Sequence, residues 1–532
     1  MTATNGHPAP EAPLNRANEV HELLTATTAL IVPFVAAADE AATSKASGRG
    51  TAAHSSHGTN GANGTNGANG ANGVHSYRTA LVEQHSPKKL EALLAQELEI
   101  REESAGKEGL LRVVEQVLRY SVNTWDQGFL DKLYASTNAV GLVSELLLAA
   151  LNTNAHVYQV SPVLTLIEKR TTKFLAQLFN LPATTSGGIS QPGGSASNST
   201  AIVVARNTLY PETKTDGNGS HRFTIFTSAH GHYSVEKAAN LFGLGSRNVI
   251  SIPVDDNGAI IPTEFERLVI ESKDRGETPL FLNATAGTTV LGSFDPYTAL
   301  NAICRKHNLW FHIDGSWGGS VVFSPQYRDT RLSGAHLADS ITINPHKMLG
   351  TPVTCSFLLG RDMNTFYKAL TLPAGYLFHN APGANVDDIY DLADLTPQCG
   401  RRADSFKLYL ALQYYGTEHF AQLVERAYEN AEYLLAALKR NGSFVTISPE
   451  PLPCLQVCFY YAKNGVLGTN AEENGKQTAE IASSLIGKGF MIDFAPGERG
   501  KFFRVVVNGG TKKGTLDGLV KAIELSAAEL GY

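Results

Sequence analysis

After a helical stretch that opens at Ser86, short β-rich runs alternate with helical ones through residue 370, and this alternation limits what the chain can fold into. The clearest strands are Phe223-Thr224-Ile225-Phe226, Val249-Ile250-Ser251-Ile252, Leu280-Phe281-Leu282, Leu309-Trp310-Phe311-His312-Ile313 and Ile341-Thr342-Ile343. Strands that are apolar almost throughout and separated by helices predict a mostly parallel sheet covered on both faces. Open α/β sheets of this kind bind ligands at the carboxyl ends of their strands. The residues that follow these runs are therefore where chemistry is sought.

Two of them stand out. Asp314 closes one strand, in His312-Ile313-Asp314-Gly315-Ser316-Trp317, and Lys347 follows the next, in Asn344-Pro345-His346-Lys347-Met348. An acid and an amine so placed match the needs of pyridoxal 5'-phosphate (PLP). The amine captures the aldehyde carbon, and the carboxylate keeps the ring nitrogen protonated so that the ring can accept electrons. Upstream, Gln191-Pro192-Gly193-Gly194-Ser195-Ala196-Ser197-Asn198 precedes an apolar helical run. Glycines let the backbone approach an anion, and the N–H groups that open a helix point at it.

Taken together, these motifs resemble those of the group II PLP-dependent amino-acid decarboxylases, nearest the glutamate and cysteine sulfinate decarboxylase branch. The resemblance runs from about Ser86 to the C-terminus. It rests on the lysine motif, on Gln398-Cys399-Gly400-Arg401 and on Phe502-Phe503-Arg504-Val505-Val506. It implies fold type I, the aspartate-aminotransferase-like α/β fold, with a mostly parallel large domain and a small C-terminal α+β domain.

The resemblance also implies roles for individual residues. Ser195, Ala196 and Ser197 bind the phosphate. His232 stacks on the ring, Thr288 lies near it, and Asn344 and His346 flank Lys347 as cofactor contacts. Arg504 grips a substrate carboxylate, as a guanidinium can with two parallel bonds. Tyr376, in Pro373-Ala374-Gly375-Tyr376-Leu377-Phe378, matches the mobile-loop tyrosine that returns a proton to Cα; a phenol with a pKa of about 10 suits that task. In the family this loop closes over the partner's site, so a homodimer is implied.

Three positions depart from the glutamate branch. Ser316 stands where the family has alanine, and predicts a hydroxyl facing the cofactor ring. Lys132 replaces a glutamine that helps to hold substrate, adding positive charge suited to an acidic side chain. His156, in Asn152-Thr153-Asn154-Ala155-His156, replaces an aromatic residue; Asn154 and His156 are placed on the substrate side. The expected reaction is α-decarboxylation of glutamate, aspartate or cysteine sulfinate. Aromatic decarboxylation, or an oxidative or C–C-forming variant, stays open, although Tyr376 weighs against the oxidative one. So does a protein that keeps PLP and acts only through dimer contacts, against which the set Lys347, Asp314, Tyr376 and Arg504 weighs.

Composition bounds the rest. The chain has 532 residues, 18% charged, with a net charge of −6, and no basic patch predicts nucleic-acid or membrane binding. Its five cysteines show no metal spacing, and their odd number without a secretory signal predicts reduced thiols in the cytoplasm. No uninterrupted run reaches the roughly 18 apolar residues of a membrane helix. The expected organisation is a helical arm over 1–43 that packs on the dimer, as in fungal-type members, and a low-complexity, disordered linker over 44–76. A helical segment over 77–128, the PLP-binding domain over 129–400 and the small domain over 401–532 follow. The Asn-Gly repeats within the linker predict flexible tethering only.

Overall fold

A computed structural model describes residues 15–50, 77–372 and 388–532. All but one strand of its seven-stranded sheet run the same way. From edge to edge the order is Gly187–Gln191, Ser356–Gly360, Ser340–Ile343, Trp310–Gly315, Thr278–Thr285, Phe223–Ser228 and Val249–Ile252. Ser356–Gly360 is antiparallel to both its neighbours; the other pairings are parallel.

Side-chain alternation explains the two covered faces. Ile225, Phe281 and Leu358 face one way, onto Ala201, Ile202 and Val204 of the helix Gly194–Leu209. Phe226, Leu282 and Ile341 face the other way, onto Phe265 and Leu300 of crossover helices. One consequence positions the site: Gln191, Ser228, Thr285, Gly315 and Ile343 all end at the same edge of the sheet.

A second sheet has five strands in the order Phe444–Thr446, Gln456–Tyr461, Phe502–Val506, Met491–Ala495 and Phe129–Leu130. Phe129–Leu130 pairs in parallel with Met491 and Ile492. The expected large-domain start at residue 129 is thus corrected: this segment belongs to the C-terminal sheet, where Leu130 is buried in its core. The helical run Ser405–Arg440 is broken at Gly416, whose φ of 76° is open to glycine at little cost. Its first part packs on the large domain and its second part, with Leu434, Leu435 and Leu438, enters the C-terminal core.

Two N-terminal expectations also change. The linker was expected to begin at residue 44, but Lys45–Ser47 form a helical turn docked on the closing helix Lys513–Glu529. Lys45 is buried there, donates to the Gly489 carbonyl at 2.5 Å and pairs with Asp126 at 2.6 Å. Composition concealed this contact, because its partners lie far along the chain. Residues 51–76, with the repeats, lie outside the described residues. The segment Arg16–Ser47 is long and apolar enough to cross a membrane, its most apolar 18-residue window having a mean hydropathy of 1.6. Threonines such as Thr25, Thr27 and Thr28 interrupt its apolar run without adding charge, which is why a search for uninterrupted runs passed over it. In this structure the helix Arg16–Ala42 lies along Gly106–Tyr120, with Glu22 paired to Lys107 and the Phe34 carbonyl accepting from Asn123 at 2.8 Å.

Candidate active site

The carboxyl ends of the parallel strands open onto a cavity of about 290 Å³ lined by Gly194, Ser195, Asn198, His232, Tyr233, Thr285, Gly287, Thr289, Asp314, Ser316, Trp317, Asn344, His346 and Lys347. Asp314 and Lys347 reach it from adjacent strands: Asp314 from Trp310–Gly315, and Lys347 from the short helix Pro345–Met348 after Ser340–Ile343.

Electrostatics divides the roles. Burial pushes the Lys347 amine below its usual pKa, while the Asp314 charge partly restores it. Burial alone would raise the Asp314 carboxyl. The bond from Ser316, the Lys347 charge, Asn198 and His232 outweigh it, so Asp314 stays below the ordinary carboxylate value. Its Oδ1 accepts from the Ser316 N–H at 3.0 Å and its Oδ2 from Asn198 Nδ2 at 2.8 Å. Burial lowers His232 too, and its Nδ1 accepts from the Ser234 N–H at 3.2 Å. His346 is pushed down to about 4 by burial, and the Cys355 backbone holds its Nδ1.

One end of the cavity suits an anion. The helix Gly194–Leu209 opens there, and no side chain caps its first turn. Gly193 has a φ of 114°, and a Cβ on Gly194 would lie 2.4 Å from Ser316 Oγ and 2.8 Å from Asn344 Nδ2. Ser356 Oγ donates to Asn344 Oδ1 at 2.6 Å, which leaves the Asn344 N–H₂ group on the Gly194 side. An uncapped helix start, a Cβ-free cradle, an ionised carboxylate and a desolvated amine on one cavity fit a phosphate-bearing pyridine aldehyde. Lys347, Asp314, His232, Ser195, Ser316, Asn344 and His346 are brought together here.

Other expected contacts are not. The Ser197 side chain turns away and, since Ser356 gives its hydrogen to Asn344, donates to Ser356 at 3.0 Å; Ala196 does not line the cavity. Thr288 is replaced at the wall by Thr285, Gly287 and Thr289, because its own hydroxyl accepts from the Ser293 N–H in a tight turn. Asn154 and His156 lie off the cavity, where Asn154 Oδ1 accepts from the Arg401 N–H and the Asn154 carbonyl meets His156 Nδ1.

Arg504 sits one residue behind the wall, and Lys132 joins it through Asp493. Arg504 Nη1 donates to the carbonyl of Thr289, which does line the cavity, at 2.8 Å. Asp493 Oδ2 accepts from both cations, from Arg504 Nη2 at 2.7 Å and from Lys132 Nζ at 2.9 Å. Arg504 is buried with its Nε unpartnered, whereas Lys132 is exposed. Tyr376 lies outside the described residues. Sequence reasoning quoted Asn198 and His312 only as neighbours, yet both belong to the support of Asp314. The signal was available for His312, which precedes Asp314 by two and so shares its face of the strand.

Residues 87–462 match the family model described as the pyridoxal-dependent decarboxylase conserved domain. The chain is 48% identical to an L-aspartate decarboxylase of Metarhizium robertsii, across 96% of this chain and 97% of that protein. It is 38% identical to a glutamate decarboxylase-like protein of Gibberella zeae, across 81% and 89% of the two chains. The crystal structure of mouse CSAD superposes with a TM-score of 0.81 at 29% identity, covering 96% of this chain and 98% of that one.

Proposed function

This chain belongs to the pyridoxal-dependent decarboxylase family, a PLP enzyme family of fold type I, and on that premise we propose that it is a cytoplasmic homodimer that removes the α-carboxylate of an acidic amino acid. The observation that carries the reading is the shared cavity of Asp314, held ionised, and Lys347, held with a depressed pKa. When bound, PLP supplies the electron-accepting ring that takes up the pair left by departing CO₂.

The chain's own residues do the rest. Lys347 is the covalent anchor, available as an amine because burial favours its neutral form. Asp314 holds the ring nitrogen's proton. The helix start at Gly194 and Ser195, with Asn344 and His346, would hold the phosphate, and His232 would lie against the ring. Arg504 orients a carboxylate, and Tyr376 is the group assigned to deliver a proton to Cα.

An acidic substrate is supported by the 48% identity to an L-aspartate decarboxylase and by the Arg504 guanidinium behind Thr289. Association of two chains is supported by the helix Ala139–Leu151, which exposes Leu142, Val143, Leu146, Leu147 and Leu151 side by side. Five free cysteines, four of them buried, are consistent with a reducing compartment.

The test is a panel of common amino acids plus cysteine sulfinate, incubated with PLP-loaded protein while CO₂ and amine are measured. Aspartate, glutamate or cysteine sulfinate should give stoichiometric amine and CO₂, and Lys347→Ala should abolish both. Turnover confined to aromatic amino acids, or turnover by Lys347→Ala, would sink the proposal.

A further inference from the structure

The strand Trp310–Gly315 places Trp310, His312 and Asp314 on one face, and the adjacent strand sets Ser340 opposite His312 and Thr342 opposite Asp314. Asn198 reaches the same face from the helix Gly194–Leu209. All six are buried, and their hydrogen bonds allow one consistent direction. Trp310 Nε1–H can only donate, and gives to Ser340 Oγ at 2.9 Å. His312 touches Ser340 Oγ through Nδ1 at 2.8 Å and Asn198 Oδ1 through Nε2 at 3.1 Å.

Asn198 Oδ1 only accepts, and it also takes the Thr342 hydroxyl at 3.0 Å. His312 Nε2 must therefore carry the hydrogen. Burial keeps this imidazole neutral at ordinary pH, so Nδ1 is bare and accepts the Ser340 hydrogen. Asn198 Nδ2 then donates to Ser234 Oγ at 3.1 Å and to Asp314 Oδ2 at 2.8 Å. A flipped amide would turn its oxygen on the carboxylate and its N–H₂ on the His312 N–H. The chain therefore fixes an N–H on Asp314, relayed from an indole buried on the same sheet face.

We propose that His312 and Asn198 are positioning residues for the cofactor: the one-way chain Trp310, Ser340, His312, Asn198 keeps Asp314 ionised and turned to the cavity, and so tunes the proton it shares with the ring nitrogen of PLP. The inference rests on the reading of Asp314 as the ring-nitrogen partner. A phenyl ring at 312 fills the space and silences the relay. Glutamine restores an N–H that can reach Asn198 Oδ1. Ser340→Ala is a milder cut, freeing the imidazole to change tautomer.

The experiment measures PLP dissociation from the protein by equilibrium dialysis, the pH midpoint of the bound cofactor's absorbance, and thermal unfolding of the cofactor-free form. His312→Phe should weaken PLP binding by up to about tenfold, the scale of losing one neutral hydrogen bond from the relay. It should also raise the absorbance midpoint, because a ring that holds its proton less firmly draws less charge from the Lys347 nitrogen. Ser340→Ala should shift both readings the same way by less, and His312→Gln should recover most of each. Wild-type affinity and midpoint in His312→Phe, or in Ser340→Ala should the phenylalanine variant fail to fold, would overturn the proposal. Equal losses in His312→Phe and His312→Gln, tracking a lower unfolding temperature, would overturn it as well. Failure of the wild-type protein to bind PLP would instead remove the cofactor reading beneath it.

Discussion

Gly194 shows how much one missing methyl group matters. The cradle is closed by Ser316 Oγ, 2.4 Å from where that methyl would sit, and by Asn344 Nδ2, which Ser356 holds through the other end of the amide. Asn344 cannot retreat freely and Ser316 must turn its hydroxyl away, so Gly194→Ala should disturb both at the anion site. We expect PLP affinity to fall roughly tenfold, about 1.4 kcal/mol, as read by cofactor titration. At this scale the sequence was informative where residue type and strand position agreed. Asp314 and Lys347 stand at strand ends and could be singled out. Ser197 and Thr288 carry suitable hydroxyls, yet Ser356 and Ser293 claim them. Which way a small polar side chain turns depends on partners far along the chain, and a linear motif does not contain them.

The N-terminal staple sets the prediction at the scale of elements. Burial depresses the Lys45 amine and raises the Asp126 carboxyl, so desolvation opposes each charge, and their pairing, with the Gly128 N–H on Asp126, sustains both. Asp126 Oδ2 has no further partner. Lys45→Met should therefore cost about 3–5 kcal/mol of stability, and adding Asp126→Leu should recover only part of it, because the Gly128 N–H and the Gly489 carbonyl stay unpartnered; urea unfolding of the single and double variants measures both. Strands rich in Ile, Phe and Val were legible, as were the two helices flanking Gly416. Gly187–Gln191 was not, because Gly-Gly-Ile-Ser-Gln has the composition of a loop and becomes a strand only through pairing with Ser356–Gly360. Phe129–Leu130 escaped for a similar reason: two residues carry no periodicity, and Met491 and Ile492 supply the ladder.

For the molecule as a whole, the exposed face of Ala139–Leu151 is the feature most at odds with an isolated chain. Sedimentation should give twice the 57.0 kDa of one chain. Val143→Glu with Leu147→Glu, one turn apart on that face, should shift the protein toward the single-chain mass and lower turnover with it. The α/β class could be inferred from alternation, and the small C-terminal domain from the family resemblance. The seating of the N-terminal turn on the closing helix could not, since it joins the two ends of the chain.

The antiparallel strand Ser356–Gly360 has a temporal corollary. It is the seam between the edge strand that feeds the anion cradle and the parallel strands that carry Asp314 and Lys347. Ser197 meets Ser356 across 159 positions of chain. A ribosome must therefore release the polypeptide well beyond Lys347 before that seam can close, and such distant pairings are slow to find one another. Vitamin B6 arrives as a late guest: it can lock a finished domain, but it cannot guide the nascent one.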